Sequence, residues 1–248
     1  GFISHSYLFI PDSGNGKLIV YHQGHSGGFI NGKKSIQDFL NAGFSVAAFS
    51  MPLVGMNNQP TIDIENIGHV KFLKHNQLVF LESENFSSLE LFFSPINSTL
   101  NYVEKNYSFT EFHMVGISGG GWTSTVYPAI DPRISKSFSV AGSLPLSLRN
   151  IVDDVGDYEQ FHPDLYSIAN YFELYTLNSF GQDREFYQIF NKNDPCCFAG
   201  DTYKIYHEPL KKIISKFDSG NFDIIIDDTH NEHIISDFSR KFIIEKLS

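Results

Sequence analysis

The sequence predicts an α/β protein of three layers, a mainly parallel central sheet with helices on both faces. Three observations predict it. Short apolar runs recur along the chain, each closed by turn residues. The runs are hydrophobic almost continuously rather than in alternation, as in strands covered on both faces. Between them lie stretches with helical spacing, so strand and helix alternate as they do in parallel sheets.

Taken in order, residues 5–10 read as an antiparallel edge strand, and residues 17–22 (KLIVYH) as the first buried one. Residues 34–42 form a short helix before Gly43, a residue suited to end it. Residues 44–50 (FSVAAFS) are the next strand. Residues 51–76 are long, polar and rich in Asn, and read as a loop. Residues 87–106 carry Leu91, Ile96, Leu100 and Val103 near helical spacing, with Pro95 marking a kink or a break. Strand 111–117 (EFHMVGI) leads into a helix over 122–129, followed by strand 137–141. Residues 143–182 mix acidic residues with Tyr and Phe and have a helical patch at 165–177. An insertion of that length after a strand reads as a helical lid. Strand 185–191 (EFYQIFN), helix 206–217, strand 222–227 (FDIIID) and helix 234–247 complete the chain, read as one domain over 1–248.

Composition removes several function classes. Acidic residues number 28 and basic residues 18, a formal charge of −10, with no Lys/Arg block. The electrostatic footprint of a nucleic-acid binder is missing. No apolar run approaches the length of a membrane span. The two cysteines, Cys196 and Cys197, are adjacent; neighbours rarely pair, so no disulfide framework is expected, and the spacing does not suit zinc. The sequence does not fix a compartment; the cytoplasm is slightly favoured, and a start at Gly1 leaves room for a trimmed signal peptide. Aromatic residues reach 15%, which fits a Phe-rich core or an aromatic pocket.

The chemistry starts at Gly116-Ile117-Ser118-Gly119-Gly120, a G-x-S-x-G sequence between a strand and a helix. That setting is the one a nucleophile elbow needs, with the glycines letting strand and helix pass closely. A serine hydroxyl is a weak nucleophile without a base. The base should follow the last strand, where His230 and His233 both stand; His233 directly precedes the final helix and is preferred. An acid should follow the strand before. Asp194 lies there, three residues past Asn191; Asp201 is more distant, and Asp227 and Asp228 follow the wrong strand. An oxyanion hole needs two backbone N–H donors, one from Gly119 and one from the loop after an early strand. That loop reads His22-Gln23-Gly24-His25, making His25 the second donor. Gln23 and Trp122 are candidate substrate contacts, although Trp122 could equally pack under the elbow. No metal or organic cofactor is implied; His230 and His233 beside Asp227 and Asp228 form only a weak metal motif.

With these residues in this order, the chain resembles the α/β-hydrolase superfamily across nearly its whole length. The stretch GISGGGWTSTVYPAIDPRI looks like the bacterial branch related to acetyl xylan esterases and dienelactone hydrolases, in which an Asp-Pro-Arg-Ile segment, here Asp131–Ile134, leads to the next strand. The resemblance implies a Ser118, Asp194, His233 triad. It also implies a serine hydrolase cleaving a small-molecule or saccharide ester, as a carboxylesterase or deacetylase. Gln23 departs from the histidine common at its position. A peptidase, a thioesterase or acyltransferase, and a catalytically silent binding module are the competing expectations.

Overall fold

The computed structural model describes residues 1–149, 156–217 and 219–248. Seven strands form one sheet in the order β1-β3-β2-β6-β7-β8-β9, and β4 and β5 form a separate hairpin. The strands are β1 (Ser6–Phe9), β2 (Lys17–His22), β3 (Ser45–Phe49), β4 (Thr61–Ile64), β5 (Gly68–Lys71), β6 (Glu111–Ile117), β7 (Ile134–Val140), β8 (Glu185–Asn191) and β9 (Asn221–Asp227). In the large sheet only β1 runs antiparallel, on β3. Six expected strands match to within a residue at each end, and β7 begins three residues earlier than its sequence suggests. Polar Ser135 and Lys136 mask that start, while Ile134 behind them is fully buried.

Helices close both faces of the sheet. They are α1 (Lys33–Asn41), α2 (Glu90–Asn106), α3 (Gly119–Ile130), α4 (Pro163–Ile168), α5 (Tyr171–Ser179), α6 (His207–Ile214) and α7 (Asp237–Leu247). Successive residues of a strand point to opposite faces. Accordingly Ile19 and Tyr21 pack with α1 and α7 through Ile36, Phe39, Ile243 and Leu247. Leu18 and Val20 pack on the other face with Ile96, Leu100 and Val103 of α2. Trp122 and Val126 of α3, Leu174 and Tyr175 of α5, and Leu210 and Ile214 of α6 extend that second layer. The Phe and Tyr excess goes largely into this core, where Tyr175, Phe186 and Phe222 are fully buried in mutual contact.

Three expectations need correction. Residues 51–76 are not a plain loop, because they contain the β4–β5 hairpin, four residues a side and half exposed. Polar Thr61 and Asp63 alternate with Ile62 and Ile64, and strands so short leave little signal. Pro95 does not break α2; the buried stripe of Phe92, Ile96, Leu100 and Val103 holds the helix continuous through it. Cys196 and Cys197 are disulfide-bonded to each other, against the expectation drawn from their adjacency. Within the segment read as a lid, residues 150–155 lie outside the described residues. Among the described residues no helix is long and apolar enough to cross a membrane.

Candidate active site

The loops after β2, β6, β8 and β9 leave the carboxyl ends of neighbouring parallel strands. In open α/β sheets this is the edge where ligands bind. Each loop carries one of the residues singled out above.

Ser118 follows β6 directly and has φ 56° and ψ −125°, a left-handed conformation rarely held by a residue with a side chain. Two hydrogen bonds hold it there. Its N–H donates to Val140 O of β7 at 3.0 Å, and its carbonyl accepts from Trp122 N–H of α3 at 2.9 Å. Strand and helix are nearly touching. A Cβ on Gly116 would lie 2.0 Å from Gly120 O, so no side chain fits at that crossing. The loop after β2 presses on the serine in the same way, since a Cβ on Gly24 would come within 2.5 Å of Ser118 Cβ and 3.1 Å of its Oγ. Ser118 itself keeps partial exposure.

Asp194 and His233, from loops 39 residues apart in sequence, meet with Nδ1 to Oδ2 at 2.7 Å. The Asp194 side chain is fully buried. Its other oxygen accepts from the backbone N–H groups of Cys196 and Cys197 at 2.8 and 3.1 Å. Burial pushes the carboxyl up, but the bonds from His233 and the two N–H groups outweigh it and hold the pKa below the usual value. The group is therefore ionised at neutral pH and fixes the proton of His233 on Nδ1. His233 Nε2, the other ring nitrogen, is buried with no hydrogen-bond partner among the described residues. His233 shares a cavity of about 410 Å³ with Gln23 and Ile117, the neighbours of Gly24 and Ser118.

The structure does not bring His230 to Asp194. His230 Nδ1 accepts from Glu232 N–H at 3.1 Å, and Nε2 faces Asp227 Oδ2 at 3.3 Å. Asp227 also accepts from Thr229 and Ser239 and from Ser236, so this group braces the turn that delivers His233. Asp201 pairs with Lys204 at the surface, and Asp228 lies near Lys192.

The fold is shared with solved structures of esterases. Acetyl xylan esterase 1 from Thermoanaerobacterium sp. superposes with a TM-score of 0.62 at 18% identity, covering 100% of this chain and 80% of that one. An esterase from Pyrococcus furiosus gives 0.63 at 12%, covering 99% and 92%. Est1E from Butyrivibrio proteoclasticus gives 0.55 at 12%, covering 98% and 93%. The chain has the α/β-hydrolase fold. No protein-family model and no curated protein matches it.

Within that fold, Trp122 turns out to be a core residue. Its indole has no solvent exposure, packs on Phe92 and Phe93, and donates Nε1–H to Tyr166 Oη at 2.8 Å. It packs under the elbow, and the alternative of a substrate contact is set aside. Gln23 is buried, its side-chain oxygen accepting from Tyr21 Oη. The Asp131–Ile134 segment is a mechanical joint. Asp131 accepts from Arg133 and from Tyr127 Oη, while Arg133 reaches Asn97, Asn101 and Glu104 on α2.

Sequence reasoning missed two parts of the site. Asn191, at the end of β8, donates Nδ2–H to Ile234 O at 3.0 Å and tethers the His233 loop to the Asp194 loop. Glu159, from the long insertion, is fully buried and binds His25 and His75. The His25 ring in turn lies over the elbow, and a Cβ on Gly119 would be 2.4 Å from its Cε1. Neither contact has a local sequence signal, because each joins segments brought together only by the sheet.

Proposed function

We propose that this protein is a serine hydrolase that cleaves a carboxylic ester. One observation carries the reading. A serine in a strained left-handed turn shares a sheet edge with a buried Asp–His pair whose free imidazole nitrogen has no other partner among the described residues. Strain of this kind, held by the surrounding structure, gathers at functional sites.

In the proposed reaction, Ser118 Oγ attacks the acyl carbon and its proton passes to His233 Nε2. Asp194 holds the imidazole in the Nδ1–H tautomer and stabilises the imidazolium. The first N–H groups of a helix have no partner within it, so Gly119 N–H at the start of α3 is free to bind the oxyanion, together with His25 N–H. The imidazolium gives its proton to the departing alcohol, leaving an acyl-enzyme. Water, activated by the same nitrogen, then releases the acid. The acetyl xylan esterases among the structural neighbours favour a short acyl group on a saccharide as substrate. The part of the insertion that carries Glu159 borders this site as a cap, a reading supported by the contact of Glu159 with His25.

A fluorophosphonate probe and a series of p-nitrophenyl esters test this. Wild type should be labelled and hydrolyse short esters fastest, and Ser118→Ala should lose both. Absence of labelling in wild type, or labelling that survives Ser118→Ala, would sink the proposal. Release of acetate from acetylated xylan tests the saccharide assignment separately.

A further inference from the structure

A second cluster of reactive groups sits behind the elbow, built from three distant segments. His25 comes from the loop after β2. His75 opens the 3₁₀ helix His75–Leu81, which follows the β4–β5 hairpin. Asp157 and Glu159 come from the insertion between β7 and β8. His25 Nε2 is 2.8 Å from Glu159 Oε1 and 3.2 Å from Asp157 Oδ2, and His75 Nδ1 is 3.1 Å from Glu159 Oε2. One donor atom from each of the four residues lies within 4.8 Å of the others. We propose that His25, His75, Asp157 and Glu159 bind one divalent transition-metal ion, and that zinc is the ion this donor set fits.

The tautomers carry the argument. His75 Nε2 donates its proton to Pro52 O at 2.8 Å. A neutral His75 therefore presents a lone pair at Nδ1, aimed at a carboxylate oxygen that is also an acceptor. Two acceptors at 3.1 Å need a positive charge between them, either an extra proton or a metal ion. A ligating histidine with its other N–H on a backbone carbonyl is the usual arrangement around a metal. The position of Asp157 favours the ion, because it adds a second carboxylate to a cluster that one proton on His75 would already satisfy. Two imidazoles and two carboxylates match zinc, whereas magnesium and calcium prefer oxygen alone. Bonds of about 2.0–2.2 Å to a tetrahedral zinc put ligand atoms roughly 3.3–3.6 Å apart; three contacts here span 2.8–3.2 Å and the whole donor set lies within 4.8 Å, so small side-chain movements would close it on the ion. Glu159 and His75 are almost wholly buried, so the ligands are already in place. The burial also explains why breaking the cluster would be costly without a counter-charge.

The ion would fasten the loop after β2 to the insertion and to the hairpin excursion, with His25 held over Gly119. It has no part in bond cleavage. Metal binding is independent of the hydrolase reading and is read without substrate.

The test uses the full chain purified without chelator, analysed for zinc by mass spectrometry, then stripped and titrated with zinc chloride by calorimetry. Wild type should carry about one zinc per chain, lose thermal stability on stripping and regain it with zinc. Asp157→Asn keeps a polar group at a partly exposed position and should fold, yet bind zinc about 100-fold more weakly or worse. His75→Gln should bind none. A wild type that carries no zinc and gains no stability from it would overturn the proposal and leave a protonated His75–Glu159 pair. Zinc bound by Asp157→Asn and by His75→Gln as tightly as by wild type would overturn it too, because the ion would then lie elsewhere.

Discussion

At the residue scale, the decisive distances are short ones between residues far apart in sequence. Asp194 is joined to His233, and His230 is not, so substitutions should separate the two histidines. Removing the acid's charge in Asp194→Asn should lower kcat by about 10⁴ with little loss of folding, as loss of the tautomer-fixing carboxylate does elsewhere. His233→Ala should be inert under steady-state assay while His230→Ala keeps most of its turnover; the opposite pattern would exchange their roles. Gly24 is a second sensitive point. A Cβ there would fall 2.5 Å from Ser118 Cβ, so either the loop or Ser118 must move. Gly24→Ala should cost about 1–3 kcal/mol in urea unfolding, and ester turnover should fall by more than that loss of folded protein explains. Unchanged turnover would show that the loop yields instead.

At the element scale, α3 does two jobs. Its first turn presents Ser118 and Gly119, and its next residues build the core beneath them. Trp122 joins α3 to α2 through Phe92 and Phe93, and to the insertion through Tyr166. Trp122→Ala should destabilise the protein by about 3–5 kcal/mol through the cavity it leaves. Trp122→Phe should cost less and leave hydrolysis of a small activated ester close to wild type, as measured by urea midpoint and initial rate. A selective loss of activity in the Phe variant, with stability intact, would return Trp122 to the substrate site.

At the scale of the whole molecule, buried charge sets a pH window for stability. Burial pushes Glu159 up, but His75 and His25 outweigh it, and its carboxyl falls to about 2. An unfolded glutamate titrates near 4.3. The stabilisation from Glu159 is thus complete above about pH 4.3 and fades as pH falls towards 2. His75 is shifted the other way. Burial lowers it, Glu159 more than compensates, and its pKa ends above the usual 6.5. Its contribution is complete below about pH 6.5 and fades as pH rises through the folded value. In chelator-treated protein, the margin in Tm of wild type over Glu159→Gln should be greatest between about pH 4.5 and 6.5 and shrink on both sides. A margin independent of pH would mean that the pair is not ionised as described.

The sequence by itself determined the layers of this protein and most of its candidate site. Continuous apolar runs such as KLIVYH suit strands covered on both faces, so the strands of the large sheet, apart from the start of β7, followed from hydrophobicity. Gly116 and Gly120 around Ser118 marked the elbow because a turn that tight excludes side chains, and Asp194 and a histidine, His233 or His230, followed from their places after the last two strands. Tertiary structure decided what depends on contact between distant segments. It separated His233 from His230, since both follow β9 and only the folded turn shows which ring reaches Asp194. It placed Trp122 in the core and brought Glu159 to His25 and His75. Local pattern encodes burial and backbone geometry over a few residues. Which polar groups meet across 50 or 130 residues is set by the order and register of the sheet that carries them.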